Sequence, residues 1–288
     1  MPRPPRGAAR LPTFAAPAMS PQPAPASDKI DILVSNDDGI TALGILALAE
    51  AVQEFGRVAV VAPDSPQSGM GHAISVGRPL RLARHKFLEP ALQGTQAWAC
   101  SGTPADCVKL ATAVVLQHKP ALVLSGINHG SNSSVSVFYS GTLSAAREGT
   151  IAGIPSIGFS LCNYRPDADF TAAREVVRAI VRQVLAQGIP AGVVLNVNIP
   201  DLPLDKIQGI RVTRQAEGRF VEEFDQRVDP YGRNYYWLTG RFHNEDTGEP
   251  DTDEAALAAG YVSVCPALID ITARHALRHL SGFDFRLG

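Results

Sequence analysis

Short apolar runs alternate with longer amphipathic stretches over the first two thirds of the chain. Residues 30–34, 58–62 and 121–124 are runs of mainly branched apolar residues, which predict buried strands. Between the first two runs, apolar residues from Ile45 to Phe55 recur at spacings of three and four, which predicts a helix with one buried face. A strand, helix, strand order requires a parallel pair with a right-handed crossover.

The alternation continues to about residue 200. We predict further strands over residues 156–160 and 192–197, separated by a long amphipathic helix over 172–185. The fold class predicted by this order is α/β, a doubly wound, mostly parallel sheet of Rossmann-like type.

The pattern then changes. Residues 214–254 are polar and carry scattered aromatic side chains, which predicts an extended arm or hairpin region and favours an oligomer interface. A returning strand over 260–264 and a closing helix over 270–280 complete one folded domain, for which we predict residues 28–288.

Residues 1–27 differ in composition from the rest, with many Pro, Ala and Arg and no acidic residue. Such a segment buries too little apolar surface to fold, so we predict a disordered tail. A secretory signal would need an apolar core of about seven or more residues, and Pro12, Pro17 and Pro21 interrupt each candidate. No apolar run is long enough to span a bilayer, which argues against a membrane partner.

Charge and cysteine content narrow the functional classes. The 288 residues include 26 basic and 28 acidic residues, a net charge of -2, so the chain lacks the basic surface that nucleic-acid polymers require. The four cysteines show no paired or zinc-like spacing, which favours free thiols in a reducing, cytoplasmic compartment.

Candidate chemistry begins where the first strand ends, in the sequence SNDDG. Ligands of parallel α/β sheets gather beyond the carboxyl ends of the strands, so Asp37 and Asp38 are candidate metal ligands. Asp and Gly are also favoured in tight turns for backbone reasons alone, and both interpretations stay open at this point.

Two predicted helix starts add possible anion sites. Thr103, Pro104 and Asp106 form a capping-box pattern, and Ser140 to Thr142 precede a second helix. The free N–H groups of a helix start attract phosphate, although plain capping explains both sequences equally well. Gly69 and Gly71 do not form a dinucleotide fingerprint, because the third small residue is replaced by Ile74.

Oxygen-bearing side chains recur after predicted strands, at Asp37, Asp38, Ser68 and Asn128. Oxygen ligands suit Mg²⁺ or Mn²⁺, whereas zinc prefers His or Cys. A divalent ion in such a site would activate water and stabilise charge on phosphoryl oxygens, which predicts metal-assisted phosphate-ester hydrolysis.

Several motifs in order resemble those of the SurE survival-protein nucleotidases. They span residues 30–275 and include ILVSNDDGI, VVAPDSPQSGMGH, SGTPADCVKLA, LVLSGINHGSN, YSGTLSAAREG and LNVNIPDLPLDKIQGIRVTR. The resemblance implies a divalent-metal-dependent phosphatase that hydrolyses nucleoside 5′- and 3′-monophosphates, with one Mg²⁺ or Mn²⁺ per subunit. It also implies a homodimer or homotetramer formed through an exchanged C-terminal arm, here residues 214–254.

The resemblance assigns roles position by position. Asp37 and Asp38 match the catalytic acids. The implied metal ligands are Asp37, Asp38, Ser68 and Asn128, and the predicted substrate-binding residues are Gly39, Gly69, Asn128, Ser140, Gly141 and Thr142. The general acid is not assigned, and His72 and His129 are the candidates.

Two loops depart from the family pattern. Residues 41–44 read Thr-Ala-Leu-Gly where the family has His-Ala-Pro-Gly, and residues 133–136 lack the family's acids. We expect these changes to alter the edge of the pocket and the substrate preference. The alternative function is a nucleotide-binding protein of the same fold that does not hydrolyse its ligand.

Overall fold

The apolar runs form the centre of a nine-stranded sheet in a computed structural model that describes residues 31–246 and 248–287. The strands, in chain order, are β1 (Asp31–Ser35), β2 (Arg57–Pro63), β3 (Leu82–His85), β4 (Gln96–Cys100), β5 (Leu122–His129), β6 (Ser156–Leu161), β7 (Val193–Ile199), β8 (Ile210–Val212), β9 (Gly218–Val221), β10 (Phe224–Val228), β11 (Asn234–Leu238), β12 (Arg241–Asn244) and β13 (Val262–Leu268). The sheet order is β3-β4-β2-β1-β5-β6-β7-β13-β8. The six strands from β4 to β7 in this order are parallel, which confirms the predicted α/β class.

Helices cover both faces of this sheet. The helices are α1 (Leu43–Val52), α2 (Pro104–Leu110), α3 (Gly141–Ile151), α4 (Thr171–Gln187), α5 (Asp253–Ala258) and α6 (Arg274–Leu280), of which α6 buries no residue. Alternate residues of β1 separate the two cores: Ile32 and Val34 pack in the larger cluster with α1 and α4, and Leu33 packs in the smaller cluster with α2. The first strand is therefore buried on both faces, which explains its continuous apolar run.

The strand β5 is longer than predicted. The sequence SGINHG suggests a turn after residue 124, but the strand continues to His129 and shifts its register against β6 between Ser125 and Asn128. Asn128 thus lies within the last part of the strand rather than beyond it. Gly44 of α1 contacts this segment so closely that an added Cβ would lie 1.9 Å from the Ile127 carbonyl oxygen.

The capping box predicted before α2 is present. The Thr103 hydroxyl accepts a hydrogen bond from the Asp106 backbone N–H, and the Asp106 carboxylate accepts one from the Thr103 N–H. Each of the two side chains accepts a hydrogen bond from the backbone N–H of the other residue, which supports plain capping over anion binding here.

The arm consists of two antiparallel hairpin sheets that are separate from the central one. Strand β9 pairs with β12, and β10 pairs with β11. Large apolar side chains of the second pair are exposed: Phe224, Val228, Tyr235, Tyr236, Trp237 and Leu238.

The remaining predictions concern the cysteines, membrane-spanning helices and the limits of the folded domain. All four cysteines are free thiols, and within the described residues no helix has both the length and the apolar character needed to cross a bilayer. The predicted disordered tail, residues 1–27, lies outside the described residues. The domain limits 28–288 stay a prediction.

Candidate active site

The turn after β1 is shaped by hydrogen bonds of its own residues. Asn36 is buried, its Nδ2 donates to the Gly39 carbonyl at 2.9 Å, and its Oδ1 accepts from the Gly39 N–H at 3.2 Å. Gly39 has a φ of +99°, which is accessible to glycine but strained for other residues. The turn and ligand interpretations of SNDDG are therefore compatible, because Asn36 and Gly39 make the turn and leave the acid side chains free for other contacts.

Asp37 lies directly beneath the start of α3. The Thr142 hydroxyl donates to Asp37 Oδ1 at 2.5 Å. A Cβ at Gly141 would lie 2.6 Å from the Asp37 Cβ and 2.8 Å from its Oδ2, so only glycine allows this approach. The second predicted helix start thus contacts Asp37, with Ser140 as N-cap accepting from the Leu143 N–H.

Burial changes the acidity of both aspartates. Burial raises the pKa of Asp37 to about 6; the charge of Asp38 adds to this shift, and the Thr142 hydrogen bond opposes it. Burial also raises the pKa of Asp38, against the lowering effect of His129. A bound cation would offset the cost of burying two adjacent carboxylates.

The loop after β2 connects the acids to the start of α3. The Gln67 N–H donates to the Asp37 carbonyl at 2.7 Å, and the Gly71 N–H donates to the Tyr139 carbonyl at 3.1 Å. Ser68 follows Gln67 directly and is exposed. The loop is therefore bonded to the carboxyl edge of β1 through Gln67, and Ser68 and Gly69 follow in its exposed part.

Asn128 and His129 approach the same edge from β5. Asn128 Nδ2 donates to the carbonyls of His129 and Gly130, at 3.2 and 2.8 Å. Over residues 31–246 and 248–287 its Oδ1 has no hydrogen-bond partner, so this oxygen is available as a ligand. The His129 backbone N–H lies 3.5 Å from Asp38 Oδ2.

The two candidate histidines differ in their surroundings. His72 Nε2 lies 3.0 Å from a Glu148 carboxylate oxygen, and Lys109 Nζ lies 2.7 Å from the other. The ring of His129 packs edge-on against Phe170, with Nδ1 buried and unpaired in the described structure. His72 therefore connects the Ser68 loop to α3, whereas His129 adjoins Asp38.

A network of asparagines holds the loop that follows β5. The Asn132 side chain donates to Ser160 at 2.8 Å, its backbone N–H donates to Asn198 Oδ1 at 2.8 Å, and its carbonyl accepts from Asn196 at 2.8 Å. These three asparagines were not predicted as site residues from the sequence. Their signal was the alternation LNVNI in β7, which places two asparagines on one face of an interior strand.

The donor atoms at this edge suit a magnesium or manganese ion. Two carboxylates, the Asn128 Oδ1 and the Ser68 hydroxyl are all oxygen donors. The described residues contain no group of three or more His, Cys, Asp or Glu side chains arranged to hold a metal. The arrangement therefore fits a small cation that keeps sites for water and a phosphate, and not a closed zinc centre.

Comparison with known proteins decides the family. A protein-family model described as survival protein SurE matches residues 32–222 of the sequence. The chain belongs to the SurE family. A relative named 5'-nucleotidase SurE from Christiangramia forsetii is 56% identical over 253 residues, which cover 88% of this chain and 96% of the relative. Another from Cytophaga hutchinsonii is 55% identical, covering 87% and 95%.

A solved SurE protein supports the fold. The crystal structure of the SurE protein from Aquifex aeolicus superposes with a TM-score of 0.74 at 42% identity, covering 87% of this chain and 98% of that one. The SurE match includes the acids after β1, the Ser68 loop, the end of β5 and the start of α3. The hairpin of β10 and β11 lies beyond its last residue.

Proposed function

We propose that this SurE family member is a phosphoric monoester hydrolase that releases phosphate from nucleoside 5′-monophosphates, and also from 3′-monophosphates. The observation that carries the proposal is the contact of Asp37 with the start of α3, which places a buried acid at a helix N-terminus. Relatives more than 50% identical over most of the chain carry the name 5'-nucleotidase SurE.

In this proposal one Mg²⁺ or Mn²⁺ is held by Asp37, Asp38, Ser68 and Asn128. The ion supplies Lewis acidity toward water and the phosphoryl oxygens. The Thr142 hydroxyl orients Asp37, and the Asn128 Nδ2 contacts hold the amide and leave its Oδ1 as the ligand atom. Such contacts to ligand side chains fix their orientation and tune metal affinity.

The substrate phosphate is assigned to the start of α3. The Gly141 N–H is the donor, because the Ser140 hydroxyl caps the helix and both the hydroxyl and the N–H of Thr142 contact Asp37. A substrate role of Thr142 therefore needs its N–H to be shared with Asp37. The Gly39 N–H is likewise bound to Asn36, so its proposed substrate role needs that bond to be shared. Gly69 borders the open side of the site.

His129 is the better candidate for the general acid. It adjoins Asp38, whereas His72 is held by Glu148. With Nδ1 buried, Nε2 is the ring nitrogen left for the leaving oxygen.

The assembly and location follow the same proposal. We assign a cytoplasmic homodimer or homotetramer, joined through the arm of residues 214–254. The support is the exposed apolar surface of β10 and β11, which one chain leaves uncovered.

The function is tested by phosphate release from AMP, GMP and their 3′ isomers. Dialysis against EDTA should abolish release, and Mn²⁺ or Mg²⁺ should restore it. Turnover that persists in EDTA would contradict the metal role. Calorimetric binding of AMP with no phosphate release under any divalent ion would instead support the alternative of a non-catalytic binding protein.

A further inference from the structure

A cavity of about 400 Å³ lies beside the start of α3, between two segments distant in sequence. One wall is the 3₁₀ turn Ser134–Phe138, which contributes Val135 and Phe138. The opposite wall is the beginning of the arm and includes Ala216, Glu217, Gly218 and Glu245. The function proposed above does not use this cavity.

A buried carboxylate joins the two walls. Asp253 is fully buried and accepts the Ser134 N–H at 2.8 Å from one wall and the Ala216 N–H at 2.9 Å from the other. The Ser134 hydroxyl also donates to the Ala216 carbonyl at 2.8 Å. The cavity is therefore held in shape by hydrogen bonds before any ligand arrives, a property typical of small-molecule sites.

The lining combines an aromatic surface with a free acceptor. The Phe138 side chain is 59% exposed, although it lies in a turn between buried elements. Glu245 pairs with Arg219 at 3.2 Å. The Glu217 carboxylate has no hydrogen-bond or ion-pair partner among the residues the structure describes, so it is open to a donor from outside the chain.

The cavity is close to the proposed phosphate position. Phe138 is two residues before the N-cap Ser140, and four before Thr142, which contacts Asp37. Four residues span at most about 14 Å even when fully extended. The Gly71 N–H bonds to the Tyr139 carbonyl, so the Ser68 loop lies against this same turn.

We infer that this cavity binds the base of the nucleotide substrate, with Phe138 stacking on the ring and Glu217 accepting a hydrogen bond from an exocyclic amino group. The inference rests on the proposed function for the nucleotide substrate and for the position of its phosphate. Aromatic side chains stack on nucleobases, and carboxylates accept from the cytosine amino group. The site prefers CMP to UMP, which carries an oxygen at the same place.

The test separates binding from hydrolysis. Calorimetry in EDTA measures the dissociation constants of CMP, UMP and ribose 5-phosphate for the full chain and for Phe138→Ala, Glu217→Gln and the control Leu88→Ala. Leu88 is as exposed as any lining residue and lies outside the cavity. Phosphate release in Mn²⁺ is measured in parallel on the same proteins.

We expect CMP to bind about tenfold more tightly than ribose 5-phosphate, and Phe138→Ala to remove most of that advantage. Glu217→Gln should remove the preference for CMP over UMP, because an amide both donates and accepts. Equal binding of CMP and ribose 5-phosphate, or an unchanged advantage in Phe138→Ala, would overturn the inference. Loss of phosphate release with these binding differences intact would count against the proposed function alone.

Discussion

The carboxyl edge of the sheet and the hairpin of β10 and β11 differ in the kind of side chain that each buries and exposes. At the edge, polar groups are buried and partnered: Asp37 is 4% exposed and receives the Thr142 hydroxyl. In the hairpin of β10 and β11, apolar groups are exposed: Trp237 is 57% and Leu238 73% exposed. In the proposed function the edge lacks only a cation, and the hairpin lacks only another apolar surface to cover it.

This difference separates the predicted roles of the two regions: chemistry at the carboxyl edge and assembly at the hairpin. A two-stranded hairpin alone is at best marginally stable in water, so we expect packing against another surface to stabilise the hairpin of β10 and β11. The edge depends on charge compensation and hydrogen bonds. Changes at the edge should therefore alter chemistry without altering assembly, and changes in the hairpin should do the reverse.

The largest effect is expected from Asp37→Asn. Losing one of two carboxylate ligands should lower kcat/KM for AMP by about 10³-fold or more, since metal stabilisation of the transition state is worth several kcal/mol. The amide still accepts the Thr142 hydroxyl, so the melting temperature and the assembly mass should not fall. Exposed Asp205, changed to Asn, is the matched control. Full activity in Asp37→Asn would show that the carboxyl edge of the sheet is not the catalytic metal site.

Thr142→Val should have the next largest effect. Valine keeps the shape but does not donate to Asp37 Oδ1, and loss of such a contact to a metal ligand typically costs 10- to 100-fold in affinity or activity. Thr142→Ser keeps the hydroxyl and should restore most of the rate. A valine variant with the wild-type response to Mn²⁺ would show that the contact is only structural.

Trp237→Ala tests whether the arm forms an oligomer interface. If the hairpin is an interface, truncating its exposed Trp should weaken assembly by about 30-fold, the equivalent of about 2 kcal/mol for a central aromatic contact. Sedimentation over a range of protein concentrations measures this change, with Leu88→Ala as the exposed apolar control. An unchanged mass distribution would contradict the proposed role of the arm.

Glu148→Gln should produce a smaller effect that depends on pH. Burial raises the pKa of Glu148, but the His72 and Lys109 contacts outweigh it and hold the pKa below its ordinary value of 4.5. A lowered carboxyl pKa stabilises the fold above the ordinary value, and this stability is lost as pH falls through the folded value. The variant should unfold about 1–2 kcal/mol more easily at pH 7, with the difference vanishing at acidic pH. A constant difference in urea titrations from pH 7 to pH 3 would contradict this mechanism.

Local sequence patterns predicted the elements that are local in origin. The apolar run before Asp37, the helix after it and the capping box at Thr103 all follow from spacing and propensity, and the structure confirms them. The extension of β5 to His129 was not predictable, because SGINHG has turn composition and is held extended by pairing with β6.

The candidate site was predictable in its residue types but not in its contacts. Strand-end acids and a helix start indicated the edge, and the family resemblance assigned their roles. The bond from the Thr142 hydroxyl to Asp37 and the contact of His72 with Glu148 depend on packing between segments more than 70 residues apart in sequence. Spacing along the chain carries no information about such contacts.

The central claim is that the edge holds one divalent ion through Asp37, Asp38, Ser68 and Asn128. The most direct measurement is a titration of the metal-free protein with Mn²⁺, followed by electron paramagnetic resonance, for the wild type, Asp38→Asn and the control Asp205→Asn. We predict one tightly bound Mn²⁺ per chain in the wild type and in the control, and at least tenfold weaker binding in Asp38→Asn. Equal stoichiometry and affinity in Asp38→Asn and the wild type would contradict the account.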